Sequence, residues 1–353
     1  MNKPRIQFRS VALLACFVGR AGCGQHEPAQ VAAAETNGET VAPPPAEAVA
    51  QIDTTDVRAR IRYLASDELQ GRATPSPGLT MAADYIASEF ASFGLEPGGE
   101  SGTFLQWYAL QTDNGEARAQ NVIGILRGSD PALRDSYIVY SAHMDHVGVG
   151  RPNAQGDSIY NGADDDASGT TAIIEIAQAF ASLPERPKRS IAFVAVSGEE
   201  LGLNGSQAFV SAGPIPAGQM IANINIDMIG RNSPDTLVAI GLNYSTIGDR
   251  AIAVARSNPE LGLAVVNDPW PDERFFFRSD HYNFARAGVP AVFFFSGVHE
   301  DYHRPSDEPE KINADKAARI ARLAFRLGYE IAQSTTAPAW TAAGRAAMSN
   351  GGG

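Results

Sequence analysis

The first residues able to perform metal chemistry are His143 and Asp145, which are separated by a single residue. They follow residues 137–141, an apolar run typical of a buried strand. A histidine that binds a metal usually donates its second ring N–H to a carboxylate, which fixes the ring. The spacing therefore predicts a metal-binding His143 oriented by Asp145, although a hydrogen-bonded pair at the surface has the same pattern.

Three adjacent aspartates, Asp164, Asp165 and Asp166, lie between glycines at positions 162 and 169. Neighbouring carboxylates repel one another unless solvent or a cation compensates their charge. The glycines permit a tight backbone that could aim one carboxylate inward, where two bridged cations would stabilise it. An exposed acidic turn that caps the following helix is the alternative interpretation.

Glu199 and Glu200 follow a second apolar run, residues 190–197, and precede a turn rich in glycine. Adjacent side chains at the end of a strand point in different directions. One glutamate can therefore bind a metal while the other takes a proton from the attacking water. The residues alone do not decide which glutamate has which role.

Asp227, Tyr302 and His303 complete the set of candidate residues. Asp227 ends the apolar run 221–226, and a buried acid there needs a partner such as a cation. His303 adds a second histidine in a loop, and Tyr302 could donate a hydrogen bond to a developing oxyanion. Two further histidines, His146 and His299, occupy no motif position that demands them.

Strand-like and helical patterns alternate along the segments that must position these side chains. Runs rich in Val, Ile and Phe predict strands at residues 104–110, 121–126, 137–141, 190–197, 221–229, 236–240 and 291–295. Helical spacing occurs at residues 57–64, 82–93, 170–183 and 314–334, the last behind Asn313 as its cap. This alternation predicts an α/β fold with a mixed, largely parallel central sheet flanked by helices on both faces. Ligands bind at the carboxyl edge of such sheets, which several of the candidate residues follow.

Composition and charge limit the classes of function. The 353 residues are 44% hydrophobic and 19% charged, as expected of a globular protein with a full core. A net charge of −12 without a basic cluster in the body argues against a nucleic-acid partner. Both cysteines, Cys16 and Cys23, lie near the N-terminus, so no disulfide can cross-link the body.

Several motifs, taken in their order along the chain, resemble the di-zinc aminopeptidase family, metallopeptidase family 28, which includes bacterial leucyl aminopeptidases. The motifs are His143-x-Asp, the octet Gly-Ala-Asp-Asp-Asp-Ala-Ser-Gly at 162–169, Gly-Glu-Glu-x-Gly-x-x-Gly-Ser at 198–206, Asp227-Met228, Ser279-Asp280-His281 and Tyr302-His303. The resemblance extends from about residue 53 to residue 333. It implies the zinc exopeptidase fold, similar to phosphorylase and hydrolase folds, and a peptide as substrate.

The resemblance also implies the roles of individual residues around two zinc ions. One ion would be held by Asp165, Glu200 and His303 and the other by Asp165, Asp227 and His143, with Asp165 bridging. Glu199 would be the general base and Tyr302 a catalytic hydrogen-bond donor, whereas Asp145, Asp166 and Asp280 would support the ligands. We also expect a cis peptide bond between Asp165 and Asp166, as in members of this family.

The domain organisation follows from the same sequence. Residues 1–23 are predicted to be a signal peptide, and Cys23 ends a segment similar to a lipoprotein signal, from which Arg20 departs. Residues 24–51 are predicted to be a disordered linker, 52–335 the di-zinc peptidase domain and 336–353 a flexible tail. We expect an exported protein, periplasmic or secreted, with membrane attachment through a lipidated Cys23 as the alternative to a plain signal peptide.

Other functions remain open at this stage. A carboxypeptidase of the same family would bind the substrate carboxylate, for which Arg231 or Arg278 is available. A glutaminyl-cyclase-like acyltransferase would have the same fold with a single zinc ion, and a binding module would have lost a ligand. An aromatic cluster formed by Phe275–Phe277 with Trp270 could line a pocket for an apolar first side chain or belong to the core. The sequence does not indicate which oligomeric state the protein has.

Overall fold

The computed structural model describes residues 41–112 and 115–350. The signal peptide, the lipidation at Cys23 and the first part of the linker lie outside these residues and stay predictions. Within the described part of the chain, no helix is both long and apolar enough to cross a bilayer.

A nine-stranded mixed sheet forms the centre of the protein. Its strands are β1 (Glu96–Pro97), β2 (Leu105–Thr112), β3 (Gly115–Leu126), β4 (Tyr137–His143), β7 (Ser190–Val196), β8 (Met220–Ile226), β9 (Thr236–Ile240), β10 (Ala264–Asn267) and β11 (Ala291–Phe295). Their order in the sheet is β1-β3-β7-β4-β8-β11-β9-β10, and β2 pairs with β3. A separate ribbon pairs β5 (Gly148–Val149) with β6 (Ile159–Tyr160). The central strands β7, β4, β8 and β11 are parallel, so their carboxyl ends meet at one edge.

Helices cover both faces of the sheet, as predicted. They are α1 (Ala46–Val49), α2 (Thr54–Leu64), α3 (Pro77–Ser92), α4 (Gly169–Ala181), α5 (Asn204–Ala212), α6 (Thr246–Ser257), α7 (His281–Arg286), α8 (Ala314–Gln333) and α9 (Ala342–Asn350). Strand β4 shows the division: Ile138 and Tyr140 pack in the larger core, which α2, α3, α4 and α8 share. Tyr137 and Val139 point to the opposite core, which includes Phe209 of α5 and Phe284 of α7. The alternating residues of one strand therefore fill two cores.

Side-chain caps define where several helices begin. The Asn313 side chain accepts a hydrogen bond from the Lys316 N–H at the start of α8, as the sequence predicted. Asp53 caps α2 in the same way, and Ser76 caps α3. Each cap satisfies a backbone N–H that has no partner within the helix.

The structure differs from the sequence predictions at both ends of the domain. The ordered domain begins before residue 52, because α1 and Ile52 already pack into the larger core. At the other end, α9 and the contacts of Trp340 contradict the flexible tail for residues 336–350: the Trp340 indole donates to the Gly288 carbonyl at 2.9 Å. Hydrogen bonds of Thr341 to the carbonyls of Asn243 and Tyr244 and the packing of Met348 also hold this segment.

The contact between α8 and the sheet yields a test of packing. A side chain at Gly328 would place its Cβ 1.8 Å from the buried hydroxyl of Tyr140. We expect Gly328→Ala to lower the free energy of unfolding by ~1–3 kcal/mol, despite the better helix propensity of alanine, because overpacking outweighs propensity here. Urea denaturation measures this change.

The double variant Gly328→Ala with Tyr140→Phe is the matched control. Removing the hydroxyl removes the nearest clashing atom and leaves the ring carbon Cζ, at 2.7 Å, as the next one, so the second substitution should restore part of the lost stability. Equal stability of Gly328→Ala and the unsubstituted protein would contradict this account of the packing.

Candidate metal centre

The carboxyl ends of the parallel strands bring the predicted ligands together. His143 ends β4, Asp227 directly follows β8, and Glu199 and Glu200 lie in the turn after β7. Asp165 lies in the irregular turn Ala163–Ser168 that leads into α4. The peptide bond between Asp165 and Asp166 is cis, as predicted.

The three adjacent aspartates have separate partners. Asp164 accepts a hydrogen bond from the Gly230 N–H at 2.6 Å. Asp166 accepts from the N–H groups of His143, Gly169 and Met228 at 3.2, 2.8 and 3.1 Å. Only Asp165 directs its carboxylate toward His143, His146 and His303. Backbone donors occupy its two neighbours, and Asp165 is left for a cation.

Asp145 connects the His143 loop with the turn that carries the glutamates. Its carboxylate accepts hydrogen bonds from the Gly198 N–H at 2.8 Å and from the Thr74 hydroxyl at 2.9 Å. One oxygen lies 3.7 Å from His143 Nδ1, while the Asp145 carbonyl oxygen is closer, at 3.1 Å. The backbone of Asp145 therefore contacts the ring, and its carboxylate positions the Gly198 turn beside it.

His143, Asp165 and Asp227 form the first ligand cluster, and each of them is buried. His143 Nε2 lies 3.2 Å from Asp165 Oδ1 and 3.6 Å from Asp227 Oδ1. The second oxygen of Asp227 accepts a hydrogen bond from Ser279 at 3.0 Å, which leaves the first oxygen free to face the histidine.

The second ligand cluster contains Asp165, Glu200 and His303 together with His146. His303 Nε2 lies 3.2 Å from Asp165 Oδ2 and 3.0 Å from Glu200 Oε2. His146 Nδ1 lies 2.8 Å from Glu200 Oε1 and 3.6 Å from Asp165 Oδ2. No role for His146 was predicted from the sequence, and the signal that indicates one is its position three residues after His143.

Both clusters have the donor types and spacing of a zinc site. Ligands ~2.0–2.1 Å from a tetrahedral zinc ion lie roughly 3.3 Å from one another. The separations of His143, His146 and His303 from the carboxylates of the two clusters range from 2.8 to 3.6 Å. Buried ligand atoms of Asp165, Glu200, Asp227 and His303 have no hydrogen-bond partner among the described residues. Because a buried polar atom without a partner is costly, these atoms fit a site built for cations.

Arg72 fixes the loops that carry these ligands. Its guanidinium, 1% exposed, donates to the carbonyl oxygens of Met144, Asn161 and Gly162 at 2.9, 2.7 and 3.0 Å, and also to that of Leu64. Burial lowers the pKa of Arg72 to about 10, although nearby carboxylates, Asp145 first among them, oppose this effect. Arg72 therefore remains charged at neutral pH and partly offsets the negative charge of the site.

Asp307 holds the turn Ala163–Ser168, which carries the three aspartates. Its carboxylate accepts hydrogen bonds from the N–H groups of Asp164 and Asp165 at 3.0 and 3.1 Å. Burial and the charge of Asp164 raise the pKa of Asp307 to about 7. The sequence did not identify Asp307 as a site residue.

Asp280 is buried near the first cluster, and neither of its carboxylate oxygens has a hydrogen-bond partner among the described residues. Burial raises the pKa of Asp280 to about 7. His281 is packed between Phe276 and Phe293, with ring centroids 4.9 Å from each. It is a core residue and lies in neither cluster.

A pocket opens beside the first cluster. Glu199 and Tyr302 line it together with Asp165, His143 and Asp227, and its apolar wall contains Met228, Phe275, Phe293, Phe295 and Val298. Burial raises the pKa of Glu199, since a carboxylate is poorly solvated there. Of the aromatic cluster predicted from sequence, Phe275 lines this pocket, whereas Phe276 belongs to the adjoining core.

Comparisons with known proteins agree with the fold. The model of "Peptidase family M28" matches residues 121–328, more than half of the chain. A "Probable zinc metalloprotease" of Pyricularia oryzae is 27% identical over 379 residues, covering 90% of this chain and 74% of that protein. For two further curated relatives, the chain spans 41% and 61% of their length.

Solved structures support the fold alone, because their sequence identities are low. The Legionella pneumophila LapA aminopeptidase has a TM-score of 0.64 at 22% identity, over 82% of this chain and 75% of that one. The Porphyromonas gingivalis glutaminyl cyclase has a TM-score of 0.63 at 17% identity, over 79% and 98%. The matched residues include every residue of both ligand clusters, but not the segment of Arg72. This match shows that the chain belongs to peptidase family M28.

Proposed function

We propose that this protein is an aminopeptidase that removes N-terminal residues from peptides with the help of two zinc ions. The observation that carries the proposal is the pair of ligand clusters that share Asp165 beside a pocket lined by Glu199. The first position would use His143, Asp165 and Asp227, and the second Asp165, Glu200 and His303. When bound, such ions supply Lewis-acid chemistry at a carbonyl and acidify water.

Glu199 is the general base of this proposal. Its neighbour Glu200 faces the histidines of the second cluster, whereas Glu199 lines the pocket. The geometry thus supports the division of roles that the sequence left open. Glu199 would take a proton from the attacking water and later deliver it to the leaving amine.

Tyr302 is positioned to stabilise the oxyanion that forms during attack. Its ring stacks on His303, with centroids 3.9 Å apart, and its side chain lines the pocket. A hydroxyl placed there can donate to the developing negative charge. The apolar wall of the pocket suits an apolar first residue of the substrate.

The two arginines considered for carboxypeptidase action have other partners. Arg231 contacts Asp301 at 2.9 Å and is not among the pocket residues. Arg278 lines the pocket, but it contacts Glu273 at 3.1 Å. A free α-amino group has the carboxylates of the site as partners, which favours aminopeptidase action. The two complete clusters favour two zinc ions over the single ion of a cyclase.

We also propose that the protein is exported. The support is the charged and apolar pattern of residues 1–23, which lies outside the described residues. Attachment through Cys23 would place the enzyme at a membrane surface, and mass spectrometry of the mature N-terminus distinguishes a lipidated cysteine from a plain cleavage site.

A panel of matched substrates tests the function. We expect the zinc-loaded protein to release the first residue from leucyl and other apolar aminoacyl substrates, and to leave the N-acetylated forms intact. Treatment with 1,10-phenanthroline should abolish the activity, and added zinc should restore it. Release of a C-terminal residue from blocked peptides, or cyclisation of N-terminal glutamine without cleavage, would contradict the proposal.

Substitution of the proposed base separates catalysis from metal binding. Glu199→Gln should lower kcat at least ~100-fold, the usual size of general-base catalysis, while the zinc content stays at the level of the unsubstituted protein. Glu200→Gln is the matched comparison, because it should lower the zinc content itself. Unchanged kcat in Glu199→Gln would show that another group takes the proton.

Tyr302→Phe keeps the stacking on His303 and removes only the hydroxyl. Loss of one oxyanion donor typically lowers kcat by ~10²–10³-fold, and we expect a loss in this range with little change in KM. Tyr329→Phe, on α8 in the large core, is the control and should leave kcat unchanged. A larger effect on KM than on kcat would assign Tyr302 to substrate binding instead.

A further inference from the structure

His146 is a buried histidine that the proposed function leaves without a role. It is 1% exposed, and neither ring nitrogen has a hydrogen-bond partner among the described residues. A buried imidazole without partners is destabilising, because its polar atoms have lost water and gained nothing in return. The ring therefore needs a partner that lies at the site.

The contact between His146 and Glu200 does not supply that partner. The two atoms, Nδ1 and Oε1, are 2.8 Å apart, yet both remain without a hydrogen bond. A separation this short without the alignment of a hydrogen bond is expected when two atoms face the same third atom. His303 Nε2, which lies 3.0 Å from Glu200 Oε2, is likewise a buried atom without a hydrogen bond, and His303 is already a proposed ligand.

The loop around His146 holds the ring in this place. The His146 N–H donates to the Arg72 carbonyl at 3.3 Å. Gly162 faces the ring so closely that a Cβ there would lie 2.5 Å from His146 Cγ. A glycine with a φ of 57° therefore provides the room that the imidazole occupies.

We propose that His146 is a fourth protein ligand of the second metal position, together with Asp165, Glu200 and His303. This inference rests on the two-zinc function proposed above. Four protein ligands complete a tetrahedral zinc site, whereas three leave a position open for water or substrate. The second position would then have four protein ligands, whereas the first has three, His143, Asp165 and Asp227.

The shape of the pocket supports this asymmetry independently. The three ligands of the first position all line the pocket. The pocket lining contains neither His146 nor Glu200 nor His303, although the side chain of His303 is 37% exposed elsewhere. The substrate would therefore reach the first position, while the second contributes charge and holds the bridging Asp165.

His299 shows why burial beside a carboxylate is insufficient. Its Nε2 lies 3.2 Å from Asp164 Oδ2, and both atoms lack hydrogen bonds. Within the described residues, this pair belongs to no ligand cluster. His299 is therefore a matched control for His146: it is a buried histidine with the same kind of neighbour and no third ligand.

Nuclear magnetic resonance of the full chain loaded with cadmium-113 tests the proposal directly. The sequence contains only six histidines, so individual ring nitrogens can be resolved after ¹⁵N labelling. We expect ¹¹³Cd–¹⁵N splitting on the rings of His143, His146 and His303 and on no other. His146→Asn should lose one of the three split signals and bind the second ion at least ~10-fold more weakly, and His299→Asn should keep all three signals.

Two results would overturn the proposal: only two split rings in the unsubstituted protein, or three that persist in His146→Asn. The unsubstituted protein decides the matter even if the variant does not fold. An activity assay on the zinc-loaded protein separates the two proposals. An active enzyme with an unsplit His146 rejects the fourth ligand alone, whereas a split His146 in a protein that cleaves no aminoacyl substrate rejects the peptidase function alone.

Discussion

Repulsion among buried carboxylates is the constraint on which the rest of this structure depends. Asp145, Asp164, Asp166 and Asp307 all lie at one edge of the sheet and are almost fully buried. Each of them accepts hydrogen bonds from backbone N–H groups, which stabilise a carboxylate without a counter-charge. Asp165, Glu200 and Asp227 face the histidines of the two clusters, and their carboxylates accept no backbone N–H among the described residues. The loops around the site are therefore shaped by the need to supply N–H groups to some acids and to withhold them from others.

The parallel strands make this arrangement feasible. Because β7, β4 and β8 are neighbours and run in the same direction, the turns that follow them meet at one place. Residues separated by most of the chain, such as Arg72 and Asp307, then reach the same turn from opposite sides. The rigid sheet fixes the positions of the loops, and the hydrogen bonds fix the direction of each side chain.

Much of this could be predicted from the sequence, for physical reasons that apply to particular segments. All seven predicted strands are present, since long runs of Val, Ile and Phe strongly favour buried strands. The short strands β1, β5, β6 and β10 and the short helices α5 and α7 were not predicted, because brief segments depend on tertiary contacts. Helix α6 was not predicted either, although its buried residues Ile247, Ala251 and Val254 have helical spacing. The hydrogen-bond partners of the three adjacent aspartates could not be predicted either, since partners such as Gly230 and Met228 lie more than 60 positions away in the sequence. The place of His146 in the second cluster could not be predicted, because the direction of its side chain depends on Arg72 and Gly162.

The contacts that Arg72 makes with the loops of the site bear on when the protein could bind a metal. This residue comes from the N-terminal helical segment, before the part of the chain that the family model matches, while His303 and Asp307 come near the end of the domain. The site cannot be complete until almost the entire chain has been synthesised and folded, because Arg72 and Asp307 both hold the turn around Asp165 and His303 faces it. A partly synthesised chain would present isolated acids and histidines that bind metal ions weakly and in the wrong combinations. On the proposed function, metal loading would thus come late, after folding, and a truncated copy without the first helices would lack the Arg72 contacts that hold the Gly162 turn, even with every proposed ligand in its sequence.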